Sequence, residues 1–249
     1  MTTADHDLIT ARYFFPRDEA PDDVEVVDVG DARLACHHAD FGHQLTVLHF
    51  HGNGEVVADY IPGFAQSIDA CGANAFFAEY RGYGGSTGTP RLGAMLDDVE
   101  PIRQAIDVPD HNLVVFGRSI GSIYALELVS RYPDVGGLVL ESGIADVLER
   151  ILLRAEPEAL GTPRQAMEQE FSNLFDHRQK LERYGGPALV MHAKNDHLVD
   201  FSHAERNADW AGEQARLVGF DQGNHNSIFP LNRQAYLDEL RTFLRRIAP

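Results

Sequence analysis

Eight short apolar runs, separated mostly by stretches with helical periodicity, are the feature that most constrains how this chain folds. The runs are Val24–Val29, Arg33–His37, Leu45–Phe50, Ala75–Tyr80, Leu113–Phe116, Gly137–Leu140, Ala188–His192 and Arg216–Phe220. Several of them, such as LTVLHF and ALVM, do not alternate between apolar and polar residues, which is typical of strands covered by helices on both faces. We therefore predict an α/β fold with a mostly parallel central sheet of about eight strands.

The segments that join the runs refine this prediction. The first two runs flank Gly30 and predict an antiparallel hairpin at one edge of the sheet. Apolar residues recur at helical spacing in 120–129, 237–247 and 95–106. The last of these stretches contains Pro101, which we expect to kink the helix.

One long segment lacks any strand-like run. Residues 144–184 contain only helical pieces, interrupted by Pro157, Gly161 and Pro163. A connection of this length with structure of its own favours a small helical cap inserted between two strands over a single crossover helix with a disordered loop. Because the sequence has no repeat, low-complexity tract or linker, we predict one domain over residues 1–249 that includes this cap.

Length and charge limit the classes of function. A chain of 249 residues can bury a sizeable core without disulfides or a structural metal. A net charge of −17 disfavours nucleic acid and anionic membrane surfaces as partners. The first residues lack the pattern of a secretory signal, and no stretch approaches the roughly 18 continuous apolar residues of a membrane span. We expect a cytoplasmic protein without stable membrane attachment; the oligomeric state stays open.

The strongest local motif is Gly117-Arg118-Ser119-Ile120-Gly121, a G-x-S-x-G pattern. It follows a buried strand and opens an amphipathic helix, which is the setting that a nucleophile elbow requires. The two glycines leave room for a turn sharp enough to expose the hydroxyl of Ser119. We predict that Ser119 is a catalytic nucleophile.

A serine nucleophile needs a base, and the base needs an acid that orients it. After His203 the only histidine is His225, in a glycine- and asparagine-rich loop between the last strand and the last helix. We predict His225 as the base and Asp196, just past the seventh strand, as the acid. The rival acids are Asp200, which is better placed to cap the next helix, and, less favoured, Glu141 and Asp146.

A glycine-rich turn, His51-Gly52-Asn53-Gly54, follows the third strand. Acyl transfer needs two backbone N–H groups aimed at the developing oxyanion. We expect these donors to be the N–H groups of Asn53 and Ile120, with His51 supporting the loop. No set of histidine, cysteine and acidic residues has the spacing of a zinc site, so neither a metal nor another cofactor is expected.

The motifs FHGNG, EYRGYGGSTG, GRSIG, HAKNDHLV and GNHN occur in one order from Val24 to the C-terminus. In this order they resemble the α/β-hydrolase superfamily, particularly the branch of ABHD-type serine hydrolases, bacterial esterases and serine aminopeptidase-like proteins. The resemblance implies Ser119, Asp196 and His225 as a triad and Arg81 as part of the scaffold. The cap matches no particular subfamily, so the resemblance does not identify the substrate.

These observations predict a serine hydrolase that cleaves a small soluble carboxylic ester or thioester through an acyl-enzyme. A peptidase of small peptides is the nearest alternative; it would need an acidic group to hold the substrate amine, and the cap contains several. A ligand-binding scaffold without catalysis belongs to another class, and it is disfavoured because every element of the catalytic pattern is intact. The expected partner is a small-molecule substrate.

Overall fold

The computed structural model describes residues 2–248, and its centre is one eight-stranded sheet. The strands follow the order β1-β2-β4-β3-β5-β6-β7-β8 across the sheet. Their bounds are β1 Glu25–Asp28, β2 Arg33–Ala39, β3 Leu45–Phe50, β4 Ala73–Ala78, β5 Leu113–Arg118, β6 Gly137–Glu141, β7 Ala188–Ala193 and β8 Ala215–Phe220. The pairs β1–β2 and β2–β4 are antiparallel and all other pairs are parallel. The predicted mostly parallel sheet and its edge hairpin are confirmed.

Helices cover both faces of the sheet. They are α1 Asp7–Tyr13, α2 Gly63–Asp69, α3 Val99–Gln104, α4 Gly121–Arg131, α5 Val147–Leu152, α6 Arg164–Leu174, α7 His177–Tyr184, α8 Ser202–Ala211 and α9 Ile228–Ile247. The alternate side chains of β3 and β5 enter two separate hydrophobic cores, one under α3, α4 and α7 and the other under α2 and α9. This two-sided burial explains why the central strands are apolar along their whole length.

The helix expected over 95–106 is divided in two. A short 3-10 turn covers Ala94–Leu96 and α3 begins at Val99, so Pro101 lies in the first turn of α3 and does not kink a longer helix. A proline is tolerated there because the first N–H groups of a helix have no intrahelical partner. The proline therefore marks a helix start in this chain.

Three helices and one 3-10 turn, Pro157–Leu160, lie between β6 and β7. Helix α7 packs against α4 and α8 in the layer beside the sheet. Helices α5 and α6 instead contact each other and the N-terminal segment: Tyr13 donates to the carbonyl oxygens of Arg150 and Ile151, and Glu170 accepts from the N–H groups of Thr3 and Ala4. The separation of residues 144–184 as a cap stays a prediction.

The fold places the predicted functional segments at one edge. Strands β3, β5, β6, β7 and β8 are parallel, so the loops that follow them leave the sheet on the same side. Residues 2–248 contain no helix with the length and apolar character needed to cross a membrane.

Candidate active site

The turn after β5 has the geometry of a nucleophile elbow. Ser119 has a φ of +52°, a left-handed conformation that costs a non-glycine residue about 1–3 kcal/mol. A Cβ on Gly117 would lie 2.6 Å from Cα of Ser122, and a Cβ on Gly121 would collide with the carbonyl oxygen of Phe50. Both flanking positions therefore require glycine, as the motif predicts.

The structure brings the three predicted catalytic side chains together. The Oγ of Ser119 lies 2.9 Å from Nε2 of His225, and Nδ1 of His225 lies 2.7 Å from Oδ2 of Asp196. All three residues are buried, with Ser119 and His225 retaining 8% and 7% of their exposure. The arrangement can pass the hydroxyl proton of Ser119 to an imidazole that a carboxylate orients.

The carboxylate of Asp196 is held by four donors. Its Oδ1 accepts from the N–H groups of Leu198 and Val199, at 2.8 and 2.9 Å. Its Oδ2 lies near both His225 and Nε2 of His192, the latter at 3.2 Å. Burial alone raises the pKa of Asp196, but hydrogen bonds from the two histidines outweigh it and hold the pKa well below its usual range. Asp196 is therefore ionised at neutral pH.

The rival acids are engaged elsewhere. Asp200 accepts from the N–H of Ser202 at the start of α8, and Asp146 accepts from the N–H of Glu149 at the start of α5. Glu141 forms an ion pair with Arg118 at 3.0 Å. None of the three carboxylates contacts His225 in the hydrogen bonds of residues 2–248.

The two predicted oxyanion donors are available. Among the hydrogen bonds of residues 2–248, none uses the backbone N–H of Asn53 or of Ile120. The neighbouring N–H of Gly52 is already committed to Oε2 of Glu55 at 2.7 Å. The two free N–H groups fit the requirement of donors that are not satisfied before the reaction.

The side chain of Asn53 is fixed by a part of the chain that the sequence did not connect with the site. Its Oδ1 accepts from the hydroxyl of Tyr83 at 3.0 Å and from the N–H of Phe15 at 3.2 Å, and its Nδ2 donates to the carbonyl of Tyr13. The N-terminal segment thus positions the predicted oxyanion turn, His51-Gly52-Asn53-Gly54. No motif in the sequence signals this long-range contact.

A buried ion pair between His51 and Glu79 also supports the turn His51-Gly52-Asn53-Gly54. The Nε2 of His51 lies 2.6 Å from Glu79, whose other oxygen accepts from the N–H of Val57 at 2.9 Å. Burial lowers the pKa of His51, but the charge of Glu79 outweighs burial and raises it. The supporting role expected for His51 agrees with this contact, whereas Glu79 was not singled out from the sequence.

Arg118, the residue before Ser119, connects three loops of the site. It forms ion pairs with Glu55 at 2.9 Å and with Glu141 at 3.0 Å, and it donates to the backbone carbonyl of His225 at 3.0 Å. Sequence reasoning missed this group. The signal that could have revealed it is an arginine at the end of one apolar strand and a glutamate at the end of the next.

Residues 2–248 contain no cluster of three or more histidine, cysteine or acidic side chains that could hold a metal ion. Arg81, predicted to belong to the scaffold, binds Asp98 through two hydrogen bonds of 2.7 Å.

Known proteins resemble this chain in sequence. YfhR of Escherichia coli K12 is 28% identical over 193 residues, 74% of this chain and 64% of YfhR. The human α/β hydrolase domain-containing protein 17C is 28% identical over 229 residues, 88% of this chain and 64% of that protein. The chain therefore spans just under two thirds of the length of these relatives.

Solved structures share its fold. The esterase Pf2001 of Pyrococcus furiosus superposes with a TM-score of 0.74 at 17% identity, covering 96% of this chain and 99% of the esterase. Est1E of Butyrivibrio proteoclasticus, solved with ferulic acid bound, also has a TM-score of 0.74, at 14% identity over 89% of this chain and 98% of Est1E. At these identities the likeness concerns the fold.

A family model matches the part of the chain that includes the predicted oxyanion turn and the turn around Ser119. The family is described as "Serine aminopeptidase, S33", and its model matches residues 42–169, half of the chain. The match agrees with the eight-stranded sheet and with the order of motifs along it. This chain belongs to that family and thus to the α/β-hydrolase superfamily.

Proposed function

We propose that this protein is a serine hydrolase that cleaves small soluble carboxylic esters or thioesters. One observation carries the proposal: the continuous hydrogen-bond chain from Ser119 through His225 to Asp196, with steps of 2.9 and 2.7 Å. The uncommitted N–H groups of Asn53 and Ile120 support it further. This arrangement would provide a nucleophile, a base and an oxyanion site at one edge of the sheet.

In the proposed reaction, Oγ of Ser119 attacks the carbonyl carbon while its proton moves to Nε2 of His225. The oxyanion accepts hydrogen bonds from the N–H groups of Asn53 and Ile120, and Asp196 stabilises the imidazolium. The intermediate then breaks its bond to the alcohol or thiol, which takes the proton from His225. Water, deprotonated by His225, releases the acid from Ser119 in the second half of the reaction.

We propose that exposed apolar side chains next to the site contact an acyl chain of short to medium length in the substrate. Phe15, exposed by 48%, belongs to the segment that holds Asn53, and Leu198, exposed by 47%, belongs to the loop that holds Asp196. The net charge of −17 disfavours anionic lipid surfaces. The proposal therefore favours soluble substrates, a cytoplasmic enzyme without stable membrane attachment, and no nucleic-acid partner.

The test combines a fluorophosphonate probe with a substrate panel. The wild type should be labelled and should hydrolyse p-nitrophenyl esters, whereas Ser119→Ala should lose both properties and remain folded. Ser130→Ala, a serine lost from the far part of α4, is the matched control and should retain both. Turnover of aminoacyl amides without ester cleavage would favour a peptidase, and absence of labelling would favour a binding scaffold.

A further inference from the structure

The N–H of Asn53, one of the two proposed oxyanion donors, belongs to a peptide unit that a buried histidine contacts. His51 is 1% exposed, and its Nδ1 lies 2.8 Å from the carbonyl oxygen of Gly52. That carbonyl and the N–H of Asn53 are the two polar groups of one peptide unit. Because the unit is planar and trans, its C=O and its N–H point in opposite directions. The contact at Nδ1 therefore sets the direction in which the N–H of Asn53 points.

The other ring nitrogen of His51 also faces an acceptor. Its Nε2 lies 2.6 Å from Oε1 of Glu79. The same carboxylate accepts from the N–H of Tyr80 at 3.0 Å and from the N–H of Val57 at 2.9 Å. Hydrogen bonds from two backbone N–H groups favour the ionised form of a carboxyl group. The proton between His51 and Glu79 therefore belongs to the imidazole.

A neutral imidazole cannot make both contacts of His51. It has one N–H and one lone pair, so one of its nitrogens would turn a lone pair toward an oxygen acceptor. An imidazolium donates from both nitrogens and satisfies the carbonyl of Gly52 and the carboxylate of Glu79 together. Only the charged form of the ring fits this geometry.

Two carboxylates act on the charge of His51. Glu79, just after β4, contacts the ring, and Glu55, in the loop after β3, acts from a greater distance. Glu55 is balanced by Arg118 at 2.9 Å, so Glu79 supplies most of the attraction. Burial alone lowers the pKa of His51, but the charge of Glu79 outweighs burial and raises it.

The other titratable groups around His51 are uncharged at neutral pH. The rings of Tyr80 and Tyr83 lie 4.2 and 5.7 Å from the ring of His51, and burial raises the pKa of both phenols. His49, two residues earlier on β3, is buried, and burial lowers its pKa well below the usual range. These three groups therefore leave the interaction between His51 and Glu79 as the main charge interaction under the turn.

We propose that His51 is a buried imidazolium that positions the N–H of Asn53, so that loss of its proton at alkaline pH removes most of the hydrolase activity. The inference rests on the proposed function and adds a second ionisation that controls the same site. When the Nδ1 proton passes to solvent, Glu79 retains the N–H at Nε2. The lone pair left on Nδ1 then repels the carbonyl oxygen of Gly52, and the peptide unit turns the N–H of Asn53 away from the oxyanion.

Two measurements on the free enzyme test this role. The kcat/KM for ethyl butanoate, followed by titration of the released acid, should fall at least about tenfold through one alkaline ionisation, because one oxyanion donor contributes about 10²- to 10³-fold. NMR of the protein labelled with ¹⁵N-histidine gives the pKa of the His51 ring. That pKa should equal the pKa of the alkaline limb and exceed the pKa of the exposed His197.

The change Glu79→Gln removes the charge and keeps an oxygen that can accept from Nε2 of His51. The alkaline limb and the NMR titration of His51 should both move at least about one pH unit lower, because the contacting charge that favours the imidazolium is gone. Asp98→Asn is the matched control, since Asp98 is also a buried carboxylate but binds Arg81. The control should leave both titrations in place.

The change His51→Asn separates positioning from general support of the fold. Its side-chain amide can donate to the carbonyl of Gly52 from the place of Nδ1, and it does not titrate. The variant should therefore keep part of the activity at neutral pH and lose the alkaline limb. Its spectrum also identifies the NMR signals of His51 among those of the 12 histidines.

Three results in an active enzyme would overturn the inference. One is an NMR spectrum in which His51 has only one protonated nitrogen at neutral pH. Another is a ring that loses its proton without a fall in kcat/KM. The third is an alkaline limb that stays in place in Glu79→Gln or persists in His51→Asn. A wild type that neither reacts with a fluorophosphonate nor cleaves esters would instead overturn the proposed function, and with it the role of His51 in catalysis.

Discussion

The guanidinium of Arg118 donates a hydrogen bond of 3.0 Å to the backbone carbonyl of His225. The residue that precedes the proposed nucleophile thus holds the loop of the proposed base. The same side chain reaches Glu55, whose Oε2 accepts from the N–H of Gly52 in the proposed oxyanion turn. One cation therefore sets the relative positions of three loops whose residues are far apart in sequence.

Replacing Arg118 with lysine should lower kcat/KM about 10- to 100-fold, with most of the loss in kcat, because small displacements of reacting groups are costly. Arg103→Lys is the matched control: Arg103 is equally buried, at 9% exposure, and binds Asp110 near the opposite end of β5. The control should lose stability but keep its kcat. Equal kcat losses in the two variants would mean that Arg118 acts only through stability.

The change Asp196→Asn should lower kcat by about 10³- to 10⁴-fold, because His225 would lose the group that fixes its tautomer. Asp200→Asn, which keeps a side chain able to cap α8, should change kcat by less than about twofold. Steady-state kinetics on one ester would measure both. A severe effect at Asp200 with a mild one at Asp196 would show that the acid was assigned wrongly.

Removing the anchor of the oxyanion turn should also slow the reaction. Asn53→Ala keeps the backbone N–H but loses the contacts with Tyr13, Phe15 and Tyr83, so kcat should fall about 10-fold or more while KM changes little. Tyr83→Phe removes one of these contacts and should have a smaller effect. A kcat for Asn53→Ala equal to that of the wild type would exclude this positioning role.

The buried histidine of α7 should make stability depend on pH. The pKa of His177 is about 3 in the folded protein and about 6.5 when the chain is unfolded, so the unfolded state binds the additional proton between these values. The stabilisation is present above about pH 6.5 and is lost as the pH falls toward 3. From pH 7 to pH 5 this group should remove about 2 kcal/mol from the free energy of unfolding.

Urea unfolding at the two pH values would test this contribution. His177→Asn can still donate to Ile144 and does not titrate, so it should lose about 2 kcal/mol less than the wild type between pH 7 and pH 5. His197→Asn, at an exposed position, should retain the pH dependence of the wild type. If both variants behave like the wild type, the pH dependence originates elsewhere.

Phe15 should influence acyl-chain preference. Phe15→Ala keeps the backbone contact with Asn53 and removes an exposed ring, so kcat/KM should fall up to about tenfold for hexanoate esters and little for acetate esters. Val26→Ala, exposed by 60% on the edge strand β1, is the control and should not alter the preference. A p-nitrophenyl ester series from acetate to palmitate would show whether the ratio changes.

The sequence predicts the sheet well because each strand carries its own signal. Runs such as Leu45–Phe50 and Ala188–Ala193 are buried at every position, so their residues are apolar throughout. The requirement for glycine at positions 117 and 121 also has a local cause, which is the sharp turn between them. The proximity of Ser119 and His225 also follows from topology, because parallel strands end at the same edge.

Other features depend on tertiary contacts that no local pattern encodes. Pro101 is compatible both with a kink inside a helix and with the first turn of a helix. The interruption of helical structure between Leu96 and Val99 decides for the first turn. The contacts of Arg118 and of Asn53 join residues that are 23 to 107 positions apart in the sequence. For Arg118 the one signal is the glutamate at the end of the next strand, and a tyrosine near the N-terminus has no periodicity from which its partner Asn53 could be inferred.

The anchoring of Asn53 by Tyr13 and Phe15 bears on how hydrolases of this family can be recombined. A chimaera that joins the sheet of this protein, from β1 onward, to the leading segment of a homologue would keep every residue of the proposed triad. The contacts that hold Asn53, however, would then come from residues of the homologue. If the junction between the two parents is chosen only by the boundaries of the sheet, we expect chimaeras that fold but react slowly. Shuffled libraries should therefore take residues 13–15 and residue 53 from the same parent.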